Sequence, residues 1–92
     1  MADDVRARAV FRGTVQGVGF RYTTRRLAAA RSACGFVRNL ADGTVELVAE
    51  GPRHEVASLL GEVERAMAGH VSAMDVTWSK SCDELAGFEV RF

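Results

Sequence analysis

Five short segments of the chain have the hydrophobic pattern of β-strands. In four of them apolar and polar residues alternate, as in a strand with one buried face, and the other is a short apolar run. The five segments are residues 6–12, 34–40, 44–50, 75–79 and 88–92. Asp42 and Gly43 stand between the second and third segments, and both residue types tolerate the positive φ of a tight turn. We therefore predict an antiparallel hairpin in the middle of the chain.

Two longer segments have apolar residues at the 3.6-residue spacing of amphipathic helices. The first covers about residues 20–31 and directly follows a glycine-rich loop, and the second covers residues 56–67. Gly51 and Pro52 end the preceding strand, and proline is tolerated at a helix start because its missing N–H would have no helical partner there. The second helix is predicted to end near Gly69.

The order of these elements is βαββαβ, followed by a short C-terminal strand. Helices that connect antiparallel strands in this order pack together on one face of the sheet. We therefore predict an α+β fold: a ferredoxin-like two-layer sandwich with a mostly antiparallel sheet and two helices on one face. No repeat, linker or low-complexity segment interrupts the pattern, so residues 1–92 are predicted to form a single domain.

The charge of the chain is balanced, with 12 Lys and Arg against 12 Asp and Glu. Nucleic-acid binding depends on neutralising phosphates and usually shows a basic excess, so no nucleic-acid partner is expected. The apolar runs are too short to span a bilayer and the acidic N-terminus lacks a secretory signal, so no membrane partner is expected. Cys34 and Cys82 match no metal-binding spacing, and we predict them as buried or half-buried thiols of a cytoplasmic protein.

The strongest candidate for chemistry is the glycine-rich loop, which has Gly13, Gly17 and Gly19 within seven residues and leads into a helix near Arg21. Successive N–H groups in such a loop form an anion-binding concavity, and the helix N-terminus adds unpaired N–H groups and about half a positive charge. The Arg21 guanidinium adds a planar fork of donors that matches two phosphate oxygens. These features predict a site for a tetrahedral anion. The residues alone leave open that the glycines only shape a turn.

Two longer motifs identify a family. Residues 13–21, Gly-Thr-Val-Gln-Gly-Val-Gly-Phe-Arg, resemble the first signature of the acylphosphatase family, and residues 35–45, Gly-Phe-Val-Arg-Asn-Leu-Ala-Asp-Gly-Thr-Val, resemble the second. The resemblance extends over essentially the whole chain, including the Gly-Pro helix start and the Phe-Glu-Val-Arg-Phe segment at residues 88–92. Two signatures at the right separation are far more specific than either one alone.

The resemblance implies that the protein hydrolyses the carboxyl–phosphate bond of acyl phosphates to a carboxylate and inorganic phosphate. It implies a phosphoryl-binding set made of Gln16, Gly17, Val18, Gly19, Phe20 and Arg21. It further implies that Arg21 is the catalytic arginine and that Asn39 orients the attacking water. For Gln16 we expect the backbone, more than the side chain, to contribute to phosphoryl binding. We expect Thr44 to be a surface residue of its strand. No cofactor and no metal ion are expected, and the expected partner is a small-molecule acyl phosphate bound by a monomer.

Three alternatives stay open. Ferredoxin-like domains often bind RNA through exposed strand aromatics, whereas Trp78, Phe88 and Phe92 are interpreted here as core residues. A similar domain occurs at the N-terminus of large carbamoyltransferases that mature hydrogenases and use carbamoyl phosphate, although one domain alone favours a free-standing enzyme. A regulatory anion-binding domain without turnover is the third, and Asn39 argues against it, because anion binding alone needs no water-positioning amide.

Overall fold

The computed structural model describes residues 4–82 and 85–92 of the chain. In that part of the chain, two helices and five strands follow one another in the predicted order, which confirms the α+β fold class. The strands are β1 Asp4–Gly13, β2 Cys34–Asn39, β3 Val45–Pro52, β4 Val71–Lys80 and β5 Phe88–Arg91, and the helices are α1 Phe20–Ala28 and α2 Arg53–Ala66.

The strands form one sheet in the order β4-β1-β3-β2-β5, with β3 at its centre. β1 pairs antiparallel with β3 and β4, and β2 pairs antiparallel with β3. β5 pairs in parallel with β2, so that Phe88 lies opposite Gly35 and Arg91 lies opposite Arg38. The residue after Arg91 therefore reaches the end of β2.

Both helices pack on one face of the sheet and bury its apolar residues. In the central strand, Val45, Leu47 and Ala49 are fully buried on this face, where they meet Phe20 of α1 and Leu59 of α2 in one core. The period-2 alternation that predicts β3 as a strand thus also predicts which of its faces is covered.

The opposite face of the sheet carries two buried glutamates in ion pairs. Glu46 is 4% exposed and accepts hydrogen bonds from Arg8 and Arg38, while Glu50 is 5% exposed and accepts one from Arg6. Burial by itself raises the pKa of Glu46, but the hydrogen bonds from the two guanidinium groups outweigh it and lower the pKa overall. Paired charges therefore fill the centre of the face that has no helix.

Both helices end earlier than the hydrophobic pattern predicts. α1 ends at Ala28 and not near Arg31, because the N–H of Arg31 bonds to the carbonyl of Ala28, three residues back, as in a tight turn. α2 ends at Ala66 and not near Gly69, because the segment that follows also turns before β4 begins. Neither helix is long and apolar enough to cross a membrane, as far as the described residues go.

β3 and β4 extend beyond their predicted limits, because backbone pairing with β1 continues past the alternating side-chain pattern. β4 begins at Val71, before the predicted start at residue 75, because it pairs with β1 from Val5 as far as Gly13. Gly51 and Pro52, which the sequence predicts as a strand end, still pair with the first residues of β1. Side-chain patterns do not report such backbone pairing at strand ends.

Two of the three aromatic residues that we interpret as core from the sequence are exposed. Trp78 is 37% exposed, with the guanidinium carbon of Arg53 4.7 Å from its ring centroid, and Phe92 is 94% exposed. Phe88 alone of the three packs against the core. Trp78 lies on the edge strand β4 and Phe92 lies beyond the end of β5, where helices cover the sheet incompletely.

The two cysteines also differ from each other. Cys34 is half-buried, as predicted, but Cys82 is exposed, which contradicts the prediction of a buried or half-buried thiol. The backbone N–H of Cys82 donates to Oε2 of Glu50 at 3.0 Å, so its main chain is bonded to the ion pair of Glu50 and Arg6 while its side chain is exposed.

Candidate active site

The loop between β1 and α1 turns at two glycines in the left-handed conformation. Gly17 has φ of 76° and Gly19 has φ of 78°, which residues with a side chain rarely adopt. A Cβ atom at either position would meet no atom of the described residues within 4 Å, so the backbone angle, and not a lack of space, requires glycine here. Turns of this kind direct consecutive N–H groups toward one side, which is what an anion site needs.

Helix α1 begins immediately after the second of these glycines. Gly19 is its N-cap residue, and the first hydrogen bond runs from the N–H of Thr23 to the Gly19 carbonyl at 3.0 Å. No side chain in the described part of the chain caps this end, and the N–H groups of residues 20–22 have no helical partner. Phe20 is 2% exposed and packs against Phe11, with ring centroids 4.9 Å apart and ring planes tilted by 58°. The core therefore fixes the electropositive end of α1 beside the loop.

The side chain of Arg21 contacts Arg91 and Phe92. Its Nη1 donates to the carbonyl of Arg91 at 3.1 Å, and its Cζ lies 4.5 Å from the centroid of the Phe92 ring. No carboxylate among residues 4–82 and 85–92 forms an ion pair with Arg21, so its charge and its other N–H groups are available to an anion. The sequence patterns miss these contacts, because they depend on the parallel position of β5 beside β2.

Asn39 is the last residue of β2 and is followed by a tightly bonded turn. The N–H of Leu40 donates to the carbonyl of Thr44 at 2.9 Å, and the N–H of Gly43 donates to the carbonyl of Leu40 at 3.2 Å. Asp42 accepts hydrogen bonds from the hydroxyl and the N–H of Thr44 at 2.6 and 3.0 Å, and these bonds lower its pKa, the hydroxyl bond most. The turn therefore fixes the backbone directly after Asn39.

The side chain of Gln16 connects the glycine loop to this turn. Its Nε2 donates to the carbonyls of Leu40 at 2.8 Å and of Thr44 at 2.9 Å. Thr44 is 6% exposed, so the expectation of a surface threonine is wrong: Gln16 contacts its carbonyl and Asp42 contacts its hydroxyl. Gln16 is thus bonded to the segment that carries Asn39 through two hydrogen bonds.

These elements surround an open concavity of about 320 Å³. It is lined by Val15, Gly17, Gly19, Phe20, Arg21, Tyr22 and Asn39. Arg21 and Asn39, the two residues predicted to be catalytic, therefore line the same concavity although they come from different elements, α1 and β2. Of the other predicted phosphoryl-binding residues, Gln16 points to the hairpin and Val18 packs against the core. The sequence patterns do not select Tyr22 as a site residue. The one feature of the sequence that indicates it is its position directly after Arg21.

Comparisons of the whole chain with known proteins point to one family. The family model described as acylphosphatase matches residues 7–90. The acylphosphatase of Salinibacter ruber is 46% identical over 87 residues, which are 94% of this chain and 92% of that protein. The acylphosphatase of Caldivirga maquilingensis is 40% identical over an alignment of 94 positions, which covers 100% of this chain and 99% of that protein. The crystal structure of acylphosphatase from Bacillus subtilis superposes with a TM-score of 0.85 at 33% identity, covering 96% of this chain and 99% of that one.

Proposed function

The chain belongs to the acylphosphatase family, and from that premise we propose how its site hydrolyses acyl phosphates. The backbone loop of residues 16–20 and the guanidinium of Arg21 bind the phosphoryl group. Asn39 positions a water molecule for in-line attack on phosphorus. The products are a carboxylate and inorganic phosphate.

One observation carries this proposal: the loop, the uncapped end of α1, Arg21 and Asn39 all line the same concavity. The first three supply positive charge and N–H donors, which suit a tetrahedral anion. The fourth is a neutral amide, which adds no charge but has both donors and an acceptor with which to hydrogen-bond a water molecule beside the anion. This combination fits hydrolysis better than anion binding alone.

The substrate's own chemistry explains why so few groups are sufficient. An acyl phosphate is a mixed anhydride, and its leaving group is a carboxylate, which departs without a proton because carboxylic acids have pKa values of about 4. Phosphoryl transfer passes through a loose transition state with charge on the equatorial oxygens, so catalysis is mainly positioning and electrostatic stabilisation. Arg21 and the loop N–H groups supply the stabilisation, at about 3–4 kcal/mol for a well-placed donor.

Asn39 supplies the positioning. An amide is no base at neutral pH, so it orients the water and leaves the water's proton to a phosphate oxygen. Holding the nucleophile in line removes much of the entropic barrier of a bimolecular step. The bonded turn after Asn39 supports this role, because a fixed backbone limits the freedom of the side chain.

The open face of the sheet argues against the RNA-binding alternative. Phe36 is the aromatic residue on the inner strands of that face, and it is 7% exposed, with the guanidinium carbons of Arg91 and Arg38 3.9 and 5.8 Å from its ring centroid. Bases stack on exposed aromatic rings, and a covered ring with two buried glutamates beside it is a poor platform for them. We therefore propose a small-molecule substrate and no nucleic-acid partner.

We extend the proposal to a monomer in the cytoplasm. Cys34 and Cys82 are free thiols, which a reducing compartment preserves.

The proposal is tested by initial rates on benzoyl phosphate, an anhydride, and on p-nitrophenyl phosphate, an ester, each with and without EDTA. We expect rapid cleavage of the anhydride, little or no cleavage of the ester, and no effect of the chelator. Loss of activity in EDTA, or faster cleavage of the ester, would contradict the proposal that Arg21 and the loop perform the electrostatic work.

Replacing Gln16 by leucine removes both hydrogen bonds between the loop and the hairpin. We expect kcat on benzoyl phosphate to fall about ten- to a hundredfold, because small displacements of a positioned group are costly in rate. The loss of unfolding free energy should stay near 1–2 kcal/mol, since Leu40 and Thr44 keep another donor at each carbonyl. Steady-state kinetics and thermal unfolding measure the two effects.

The matched control is Arg31→Gln, which breaks ion pairs to Glu55 and Glu62 at a distance from the concavity. It should reduce stability without changing kcat. An unchanged kcat in Gln16→Leu, or an equal fall in both variants, would show that Gln16 does not position the hairpin for catalysis.

A further inference from the structure

Part of the concavity stays without a role once the phosphoryl group and the water are assigned. Val15 and Phe20 form its floor, being 1% and 2% exposed, and the two glycines on its rim have no side chain. Arg21 and Asn39 are committed to phosphate and water. Tyr22 is the remaining lining residue, and its side chain is large and 70% exposed.

Tyr22 also differs from the other exposed large apolar residues in the described part of the chain. Trp78 is stacked with Arg53, and Phe92 is stacked with Arg21. Tyr22 has no hydrogen bond, ring contact or cation–π partner among residues 4–82 and 85–92. An exposed ring with no partner at the edge of a binding concavity is available to a ligand.

The geometry of the reaction indicates which part of the ligand meets this ring. In-line displacement puts the leaving group on the side of phosphorus opposite the attacking water. With the water at Asn39 and the phosphoryl oxygens at the loop and Arg21, the acyl group is directed away from Asn39. Tyr22 follows Arg21 directly in the first turn of α1 and lines the same opening.

We propose that Tyr22 packs against the acyl group and gives the enzyme a preference for acyl phosphates with an aromatic or similarly flat apolar acyl group. This inference rests on the proposed function of the site. The ring contacts the acyl group both before and during the displacement, so its contribution is uniform binding, which lowers KM and leaves kcat nearly constant. Tyr22 is therefore a specificity-determining residue, and the reaction itself does not depend on it.

The test compares kcat/KM for benzoyl phosphate with kcat/KM for acetyl phosphate in the native protein, Tyr22→Ala and Tyr22→Phe. Acetyl phosphate has the same anhydride but only a methyl group to contact the ring. We expect Tyr22→Ala to lower the benzoyl-to-acetyl ratio about three- to tenfold, mainly through KM for benzoyl phosphate. Tyr22→Phe keeps the ring and should retain the native ratio.

Trp78→Ala is the control, because it removes another exposed ring that does not line the concavity. It should leave the ratio unchanged. An unchanged ratio in Tyr22→Ala, or a fall in kcat that is equal for both substrates, would overturn the role of Tyr22 while leaving the proposed function intact. A native protein that cleaves neither acyl phosphate would overturn the proposed function and this inference together.

Discussion

Replacing Arg21 by alanine should reduce kcat/KM for benzoyl phosphate about 10³-fold or more. The change removes the charged fork that stabilises the equatorial oxygens, and a single arginine in this role in phosphoryl transfer is worth about 10³–10⁵ in rate. It should also weaken competitive inhibition by inorganic phosphate, because hydrogen bonds to charged groups contribute about 1.5–3 kcal/mol in the bound state. Steady-state kinetics with inorganic phosphate as inhibitor measure both losses.

Two variants make this prediction specific. Arg21→Lys keeps the positive charge but loses the planar fork, so its loss in kcat/KM should be nearly as severe as that of Arg21→Ala. Arg25→Ala removes an exposed arginine one turn further along the same helix, and it should retain activity within about a factor of two. Equal effects at both positions would mean that Arg21 acts only through the overall charge of α1.

Replacing Asn39 by alanine should lower kcat about 10²-fold and leave inhibition by inorganic phosphate within a factor of about three. The amide acts on the attacking water, which is a partner only in the reacting complex, so its loss raises the barrier without loosening the bound phosphoryl group. The pattern therefore separates Asn39 from Arg21, whose loss affects binding and turnover together. The same two assays distinguish the variants.

Asn39→Asp is the matched comparison, because aspartate has the same shape but carries a negative charge beside the phosphoryl group. It should lose turnover and also bind inorganic phosphate more weakly, through like-charge repulsion. Retention of native kcat in Asn39→Ala would contradict the water-positioning role. Weaker phosphate inhibition in Asn39→Ala, to the extent seen for Arg21→Ala, would place Asn39 in phosphate binding instead.

The local pattern of the sequence is sufficient to predict the fold class, whereas the catalytic roles of Arg21 and Asn39 are proposed from the resemblance of residues 13–21 and 35–45 to the two family signatures. The alternation in β3 and the helical spacing in α2 report burial, which is a local consequence of one covered face. The left-handed glycines Gly17 and Gly19 follow from the same reasoning, because a tight loop before a helix requires such angles.

Features that depend on distant parts of the chain were not predictable in this way. The contact of Arg21 with Arg91 and Phe92 requires β5 to lie parallel to β2, and no local pattern specifies that neighbour. The burial of Glu46 depends on arginines from two other strands, since a charge becomes buried only where it is paired. The role of the Gln16 side chain likewise depends on where the hairpin folds back.

The most direct measurement of the central claim is hydrolysis of benzoyl phosphate in water enriched in ¹⁸O, with mass analysis of both products after correction for the uncatalysed reaction. Attack at phosphorus breaks the bond between phosphorus and the bridging oxygen, so the label should appear in inorganic phosphate and the benzoate should be unlabelled. Label in the benzoate would mean attack at the carbonyl carbon. That result would contradict a site in which Arg21 and the loop hold the phosphoryl group for a water positioned by Asn39.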